Sequence, residues 1–440
     1  MKTLHIIFSF VLLFFPVKIH ASGKAPHDHV CSSEDISVLE ITLSKVIPKQ
    51  GDKINIKAKI YNGGWAPASN VRVRFCQEDK KKKRIPLGNH HIIKEIDVDS
   101  VVTLVNEWFV PQNGFYKIIV IIDPDNKLSD NDTNEAYIEA PVVVKDLYFE
   151  FRSSLKSIRY GNIAVYASKK DIGYWIDRGV IPTDWKAGYC NSSWSEEQFV
   201  DDWSSAVKDG FPAICIDEFS GLDPEKDDVV KKLNSALIKT KQKCPDLFII
   251  ACNAGYLNEK SCGESYKIGA DLIMPERYHS SFAQDYAFDA NWKIAKKAGI
   301  ADKTIFLLGT GYRCTTWQEL LRQIKYIKKL APEMPGLGFY KNYPLHLYEA
   351  ADRYCYEYFI KPVVWIKDIS SSKATLTNVG GMDAEDVSIE FFSHEPERGG
   401  EKLGSKRIEL LKVGEEKEVE IPIKARHLLI VPSEYYTVLN

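Results

Sequence analysis

Phe211 to Ser220 reads F-P-A-I-C-I-D-E-F-S. Ala213 to Ile216 form a short apolar run with two β-branched isoleucines, just long enough for a strand buried on both faces. Two adjacent carboxylates, Asp217 and Glu218, stand at its C-terminal end. A helical pattern upstream, Ser195 to Lys208, stops at Gly210, and another follows over Asp228 to Lys243. A strand between helices with acids at its carboxyl end is how an α/β barrel presents catalytic groups. The same acids would also suit a helix cap, a salt bridge or a loop bond. The surrounding chain has to decide.

Over residues 150–360 short apolar runs alternate with amphipathic stretches. The runs are Ile163-Ala164-Val165-Tyr166, Ala213 to Ile216, Leu247 to Cys252, Asp271 to Met274, Thr304 to Leu308, and Leu337 to Tyr340. Helical patterns separate the later ones, as at Tyr286 to Lys297 and Trp317 to Leu330. Such βα alternation predicts a parallel sheet. Six strands are clear, and a closed barrel of eight needs two more, one of them near Trp175 to Ile181. With Leu337 to Tyr340 as the eighth, Ala213 to Ile216 is the fourth. A doubly wound open sheet is the alternative, but no Gly-x-Gly-x-x-Gly or P-loop pattern supports a nucleotide version of it.

Polar residues recur at the ends of successive predicted strands. After Asp217-Glu218 come Asn253-Ala254-Gly255-Tyr256, then Pro275-Glu276-Arg277-Tyr278-His279. Gly309-Thr310-Gly311-Tyr312-Arg313 and Tyr340-Lys341-Asn342-Tyr343 follow. In a barrel these would ring one mouth with carboxylates, amides and tyrosines, a mix suited to sugars. Glycoside cleavage needs two carboxyl groups flanking the bond. Glu218 as acid and Glu276 as nucleophile or base would form that pair, with Asp217 raising the proton affinity of Glu218. Strand alternation puts Asp217 on the side of Cys215 and Glu218 on that of Ile216. As the chain turns outward, Glu218 is expected to swing over the mouth while Asp217 braces it. Tyr166, Trp185, Asn253, Tyr278, Tyr312, Tyr340 and Asn342 are the candidate substrate-binding residues. Each has a plainer reading: core packing for Tyr166 and Trp185, a salt bridge to Arg277 for Glu276, a loop position for His279.

With those residues in place, the central segment resembles the glycoside hydrolase barrels, many of which carry the acid/base glutamate after the fourth strand. The Asp217-Glu218 pair is similar to that of hexosaminidases using substrate assistance. That resemblance implies that Asp217 orients a 2-acetamido group while Glu218 protonates the leaving oxygen.

Residues 35–145 follow another rhythm. Lys53 to Ala58, Val71 to Phe75 and Tyr116 to Ile122 alternate or run apolar between Gly, Pro and Asn turns, as in a β-sandwich. Gly51-Asp52, Asn62-Gly63-Gly64, Ala68-Ser69-Asn70-Val71, Gly114-Phe115-Tyr116 and the acidic close Asp123-Pro124-Asp125 to Asn134-Glu135 make this segment resemble the CARDB module. The resemblance implies an immunoglobulin-like fold, and the acidic close would suit either a solvated turn or a cation-binding loop. Residues 362–440 repeat the pattern: Asn378 to Phe391 aligns without a gap on Asn62 to Phe75. This copy stops at Tyr435 to Asn440, before any acidic close, and is expected to lack its final strand or to borrow an edge.

Residues 1–21 read as a signal peptide: Lys2, an apolar core from Ile6 to Phe15, and a cleavage site ending at Ala21. Export to the periplasm, cell surface or medium follows, and it permits disulfides among the nine cysteines, such as Cys252 with Cys262. Cys215 reads as a small core residue. Neither a cofactor motif nor a Cys/His metal spacing occurs, so no cofactor or metal is expected. A formal net charge of −2 argues against a nucleic-acid binder, the basic run Lys80 to Arg84 suits a solvated turn, and no later stretch is long enough to span a membrane. The expectation is a multidomain chain, a TIM-like α/β barrel flanked by two immunoglobulin-like sandwiches. It would be an exported glycoside hydrolase acting on a poly- or oligosaccharide, with cell-surface or matrix contact through the sandwiches. The rival is a carbohydrate-binding or adhesion protein with an inactive barrel, recognisable by widely separated or salt-bridged carboxylates.

Overall fold

The structure is a computed structural model that describes residues 35–125, 134–154, 156–220, 222–260, 263–278, 284–309, 314–340, 345–370, 372–431 and 435–438. The signal segment, Cys262, His279, Tyr312 and Asn342 lie outside the described residues.

Eight parallel strands close into a barrel: β1 (Tyr148–Arg152), β2 (Ile163–Val165), β3 (Ile181–Ala187), β4 (Ala213–Ser220), β5 (Phe248–Ala254), β6 (Leu272–Arg277), β7 (Phe306–Leu308) and β8 (Gly336–Phe339). The fourth strand is the one carrying Asp217 and Glu218, as counted from the sequence. Trp175 corrects one expectation, since it belongs to a short helix, Ile172–Ile176, and the strand begins only at Ile181. The flanking helices have sequence-encoded starts. Ser195 and Gln198 form a reciprocal capping box before Glu196–Lys208, and the Asp227 carboxylate caps Asp228–Lys243.

The register fixes which side chains face inward. Ile163 pairs with Glu150, Trp185 with Cys215, Cys215 with Ile250, and Gly338 with Glu150. By alternation, Glu150, Arg152, Trp185, Cys215, Asp217, Cys252, Glu276 and Leu307 lie on the barrel side. Ile214, Ile249, Ile273, Phe306 and Leu308 are fully buried on the other face, in the large core shared with the helices.

The N-terminal sandwich has one sheet of Ile36–Leu43, Lys53–Asn62 and Val101–Phe109, and a second built around Ala68–Glu78 and Gly114–Ile122. The C-terminal sandwich repeats the plan, with Val364–Ile369, Lys373–Asn378 and Glu416–Glu420 facing a sheet around Ala384–Phe392. Its final strand is present, correcting the expected loss: Tyr435–Val438 pairs antiparallel with His427–Val431. It is short, four residues against nine in Asn134–Val142.

The repeat holds at the level of single hydrogen bonds. Asn62 Nδ2 donates to the carbonyls of Ala66 and Ile96, and its Oδ1 accepts from Gly64 N–H. Asn378 Nδ2 donates to Met382 and Leu411, and its Oδ1 accepts from Gly380 N–H and Val363 N–H. Asn70 and Asp386, equivalent positions, share a positive φ of 56°. Both asparagines are fully buried, so truncation strands several backbone groups away from water. Asn378→Ala is expected to cost the C-terminal sandwich about 2–4 kcal/mol. The loss would be read as a lowered unfolding midpoint and faster proteolysis of that module.

Candidate active site

At the end of β4 the pairing with β5 slips. Ile216 pairs with Ala251, but Phe219 pairs with Asn253, so three steps on β4 match two on β5. This is a β-bulge. Ile216 and Phe219 both stay buried, Phe219 against the rings of Trp203 and Tyr266, so Asp217 and Glu218 fall together on the barrel side of the strand. Glu218 takes a left-handed φ of 50° and its N–H donates to Asp217 Oδ1 at 3.1 Å. Gly188, after β3, donates its N–H to the Asp217 carbonyl at 2.9 Å, and a Cβ there would lie 2.6 Å from that oxygen. The close approach requires glycine.

Asp217, Cys252 and Glu276 bring their donor atoms within 4.8 Å of one another. Cys252 donates its thiol proton to Glu276 Oε1 at 3.4 Å, and Tyr278 also bonds this carboxylate. Burial raises the Glu276 pKa above the usual carboxylate range. The carboxylates of Asp217 and, more weakly, Glu218 add to that rise, while the bonds from Cys252 and Tyr278 oppose it. The alternative, a salt bridge to Arg277, is not seen: that guanidinium donates to the Gly255 carbonyl and lies over the Tyr256 ring.

These three donors are the only described group with metal-ligand spacing, but the chemistry suits a proton better. Cys252 bonds Cys215 and is fully buried, which pushes its thiol pKa well up, and a metal would need the thiolate. The hydrogen bond to Glu276 is what a retained thiol proton does instead.

The aromatic candidates form two pairs. Tyr166 stacks on Trp185 with ring centroids 6.1 Å apart and an 18° interplanar angle. Tyr278 stacks on Tyr340 at 5.0 Å and 22°. Tyr166 and Trp185 are each more than a third exposed, so neither is a core residue. Tyr166 has a positive φ of 59°, a strained backbone state for a bulky residue and one that recurs at functional sites.

Two expectations change. Asn253 does not reach the mouth: it is fully buried behind β5, accepting from the Tyr266 hydroxyl at 2.6 Å. Its parity along β5 turns it towards the helices. Glu218 is exposed and stands outside the close group, so the compact carboxylate pair is Asp217 with Glu276. Alternation alone sets Asp217 on the barrel side, and the bulge keeps Glu218 from turning into the helical layer without carrying it across the mouth.

Sequence reasoning missed Glu150 and Arg152. Glu150 lies inside the barrel, 3% exposed, accepting Phe339 N–H at 3.1 Å. Tyr148-Phe149-Glu150-Phe151-Arg152 did carry a signal, since a carboxylate alternating with aromatics in a strand has to face either solvent or a special interior.

Comparison with known proteins locates one module. Residues 33–139 match the CARDB family. No curated protein matches the chain in sequence. Among solved structures, the CARDB domain of a Pyrococcus furiosus protein in complex with di-metal ions is 17% identical, covering 27% of this chain and 95% of its own, with a TM-score of 0.22. A Paenibacillus cycloisomaltooligosaccharide glucanotransferase complexed with cycloisomaltoheptaose is 9% identical over 88% of this chain and 68% of its own, at 0.43. A Bacteroides uniformis β-glucuronidase is 8% identical over 92% of this chain, at 0.30, and the chain spans 60% of its length. At these identities the chemistry has to be argued from the site itself.

Glu150 makes stability depend on pH. Burial raises its pKa from 4.5 to about 8, against the smaller opposing effects of the Phe339 N–H and Arg152. Between those values the folded barrel keeps a proton that the unfolded chain releases. Stability is therefore full below pH 4.5 and falls as pH rises towards 8. The integrated loss is on the order of 4 kcal/mol. Glu150→Gln keeps an acceptor for Phe339 N–H and should remove most of this slope, measured as the difference in melting temperature between acid and neutral buffer.

Proposed function

We propose that the protein is an exported glycoside hydrolase of poly- or oligosaccharides, working through Asp217 and Glu276. The observation that carries this reading is the close carboxyl pair at the ends of β4 and β6, with donor atoms within 4.8 Å and Glu276 held towards its protonated form. A separation of roughly 5 Å suits a retaining enzyme, whereas roughly 6.5–9.5 Å would leave room for an inverting water. Glu276 donates its proton to the glycosidic oxygen while Asp217 attacks the anomeric carbon and forms a glycosyl ester. Glu276, now ionised, takes a proton from the water that hydrolyses the ester. Glu218 lies on the rim, beside the reacting bond rather than across it.

The inactive-barrel reading expects separated or salt-bridged carboxylates. Here the pair is close, and Glu276 takes its bonds from Cys252 and Tyr278, while Arg277, which its charge reaches, donates to the Gly255 carbonyl instead. The reading is supported by two stacked aromatic pairs, Tyr166–Trp185 and Tyr278–Tyr340, which would hold sugar rings.

Screening a panel of glycans for released reducing ends tests the activity, and proton NMR of the first product gives its anomer, expected to be retained. Glu276→Gln should lower kcat about 10²–10⁴-fold, Asp217→Asn comparably, and Glu218→Gln by less than tenfold. The wild-type rate should fall on the alkaline side as Glu276 loses its proton, with a midpoint above that of an ordinary carboxylate. Full activity in both Glu276→Gln and Asp217→Asn, or binding without cleavage across the panel, would overturn the proposal.

A further inference from the structure

Arg152 ends β1 on the barrel side of the mouth, two residues beyond Glu150 and paired in register with Val165 of β2. Its guanidinium lies over the Tyr166 ring, 4.7 Å from the centroid, and the other face of the ladder is the Tyr166–Trp185 stack. Among the described residues its guanidinium forms no ion pair and no hydrogen bond, although its charge lowers the pKa of Glu150, buried two residues earlier. Most of the other described arginines are paired, although Arg74, Arg277 and Arg426 form no ion pair either. Arg84 is paired with Glu78 and Glu135, Arg178 with Glu40, and Arg322 with Asp285 and Glu319.

A guanidinium held over an aromatic ring on a half-buried residue keeps its planar fork of donors ready for a carboxylate. The described strand ends around it carry Asp217, Glu218 and Glu276 on the barrel side, and no second cation. An anionic ligand would be repelled from those three acids and drawn to one place. The arrangement discriminates by position as well as by charge.

We propose that Arg152 receives a carboxylate of the substrate, so that the saccharide bound at this mouth contains uronic acid residues. This rests on the carbohydrate reading of the site. A neutral sugar would leave the guanidinium without a partner, whereas a uronate stacked on Tyr166 and Trp185 would present its carboxylate to the fork. Charge-assisted bonds of this kind correspond to about ten- to a hundredfold in affinity.

The test is calorimetric titration of the full chain carrying Glu276→Gln, which binds without consuming ligand. The probes are galacturonate and glucuronate oligomers, each against its carboxyl-reduced counterpart. At least one uronate oligomer should bind about ten- to a hundredfold tighter than its reduced form. Arg152→Gln should abolish that preference and leave the affinity for the reduced form unchanged. Arg152→Lys, which keeps charge and stem but loses the fork, should retain part of it, and it serves as the reading should Arg152→Gln fold poorly. Equal affinity for both forms, a preference that survives Arg152→Gln, or no binding of any uronate oligomer overturns the proposal. A role confined to neutralising the neighbouring acids would shift both ligand forms alike and move the alkaline limb of the rate. Cleavage of neutral glycans by the wild type alongside such a result would leave the hydrolase reading standing and remove only the uronate.

Discussion

The barrel closes because two of the three β8 residues that pair with β1 are glycines. Gly336 has a φ of 154°, and a Cβ there would lie 1.8 Å from the Tyr148 carbonyl oxygen. At Gly338 a Cβ would come within 2.7 Å of Met274 Sδ and 3.0 Å of Glu150 Oε2. Two glycines thus remove the atoms that would hold the last strand away from the first and leave interior space for a carboxylic acid. Everything at the mouth depends on that closure. With an open sheet the ends of β1, β4 and β6 would not converge, and Arg152, Asp217 and Glu276 would not share a cleft.

The second constraint is local. A regular β4 would set Asp217 and Glu218 on opposite faces, so one of them would point into the helical layer. The bulge resolves this by spending one extra residue, and the close contact of Gly188 with the Asp217 carbonyl holds the distortion in place. Together with β6, the result is a graded set of acids: Glu150 buried within the barrel, Glu276 half-buried, Glu218 exposed. That gradient in burial can give carboxylates on neighbouring strands different proton affinities, as acid–base chemistry requires.

Much of the fold was legible because the relevant signals are periodic. Apolar runs separated by amphipathic helices gave the barrel and placed β4 fourth, and the Asn378 to Phe391 alignment gave the second sandwich. The two strands that escaped, β1 and β3, carry charged residues or proline within the strand: Y-F-E-F-R and I-P-T-D-W-K-A do not read as doubly buried strands. The same features explain what was missed at the site, since Glu150 and Arg152 lie on β1. Asn253 was misjudged because being at a strand end says nothing about which face a residue takes. The position of Glu218 was not legible because a bulge has no dependable sequence signature.

The two sandwiches meet the barrel at one end. Their contacts gather at the N-terminal ends of the strands. Arg178 and Asp177, just before β3, pair with Glu40 and Lys57 of the first sandwich, and Asp146, just before β1, pairs with Lys45 and Lys49. Lys328, near the end of the helix that leads to β8, is fully buried and donates to the Val379 carbonyl of the second sandwich at 2.8 Å. The two sandwiches also meet each other, through Asn113 and Asp383 and through Val144 N–H to the Gly381 carbonyl. Among the described residues these contacts brace the face of a barrel that ordinarily serves stability, while the acids and aromatic pairs stand at the opposite ends of the strands.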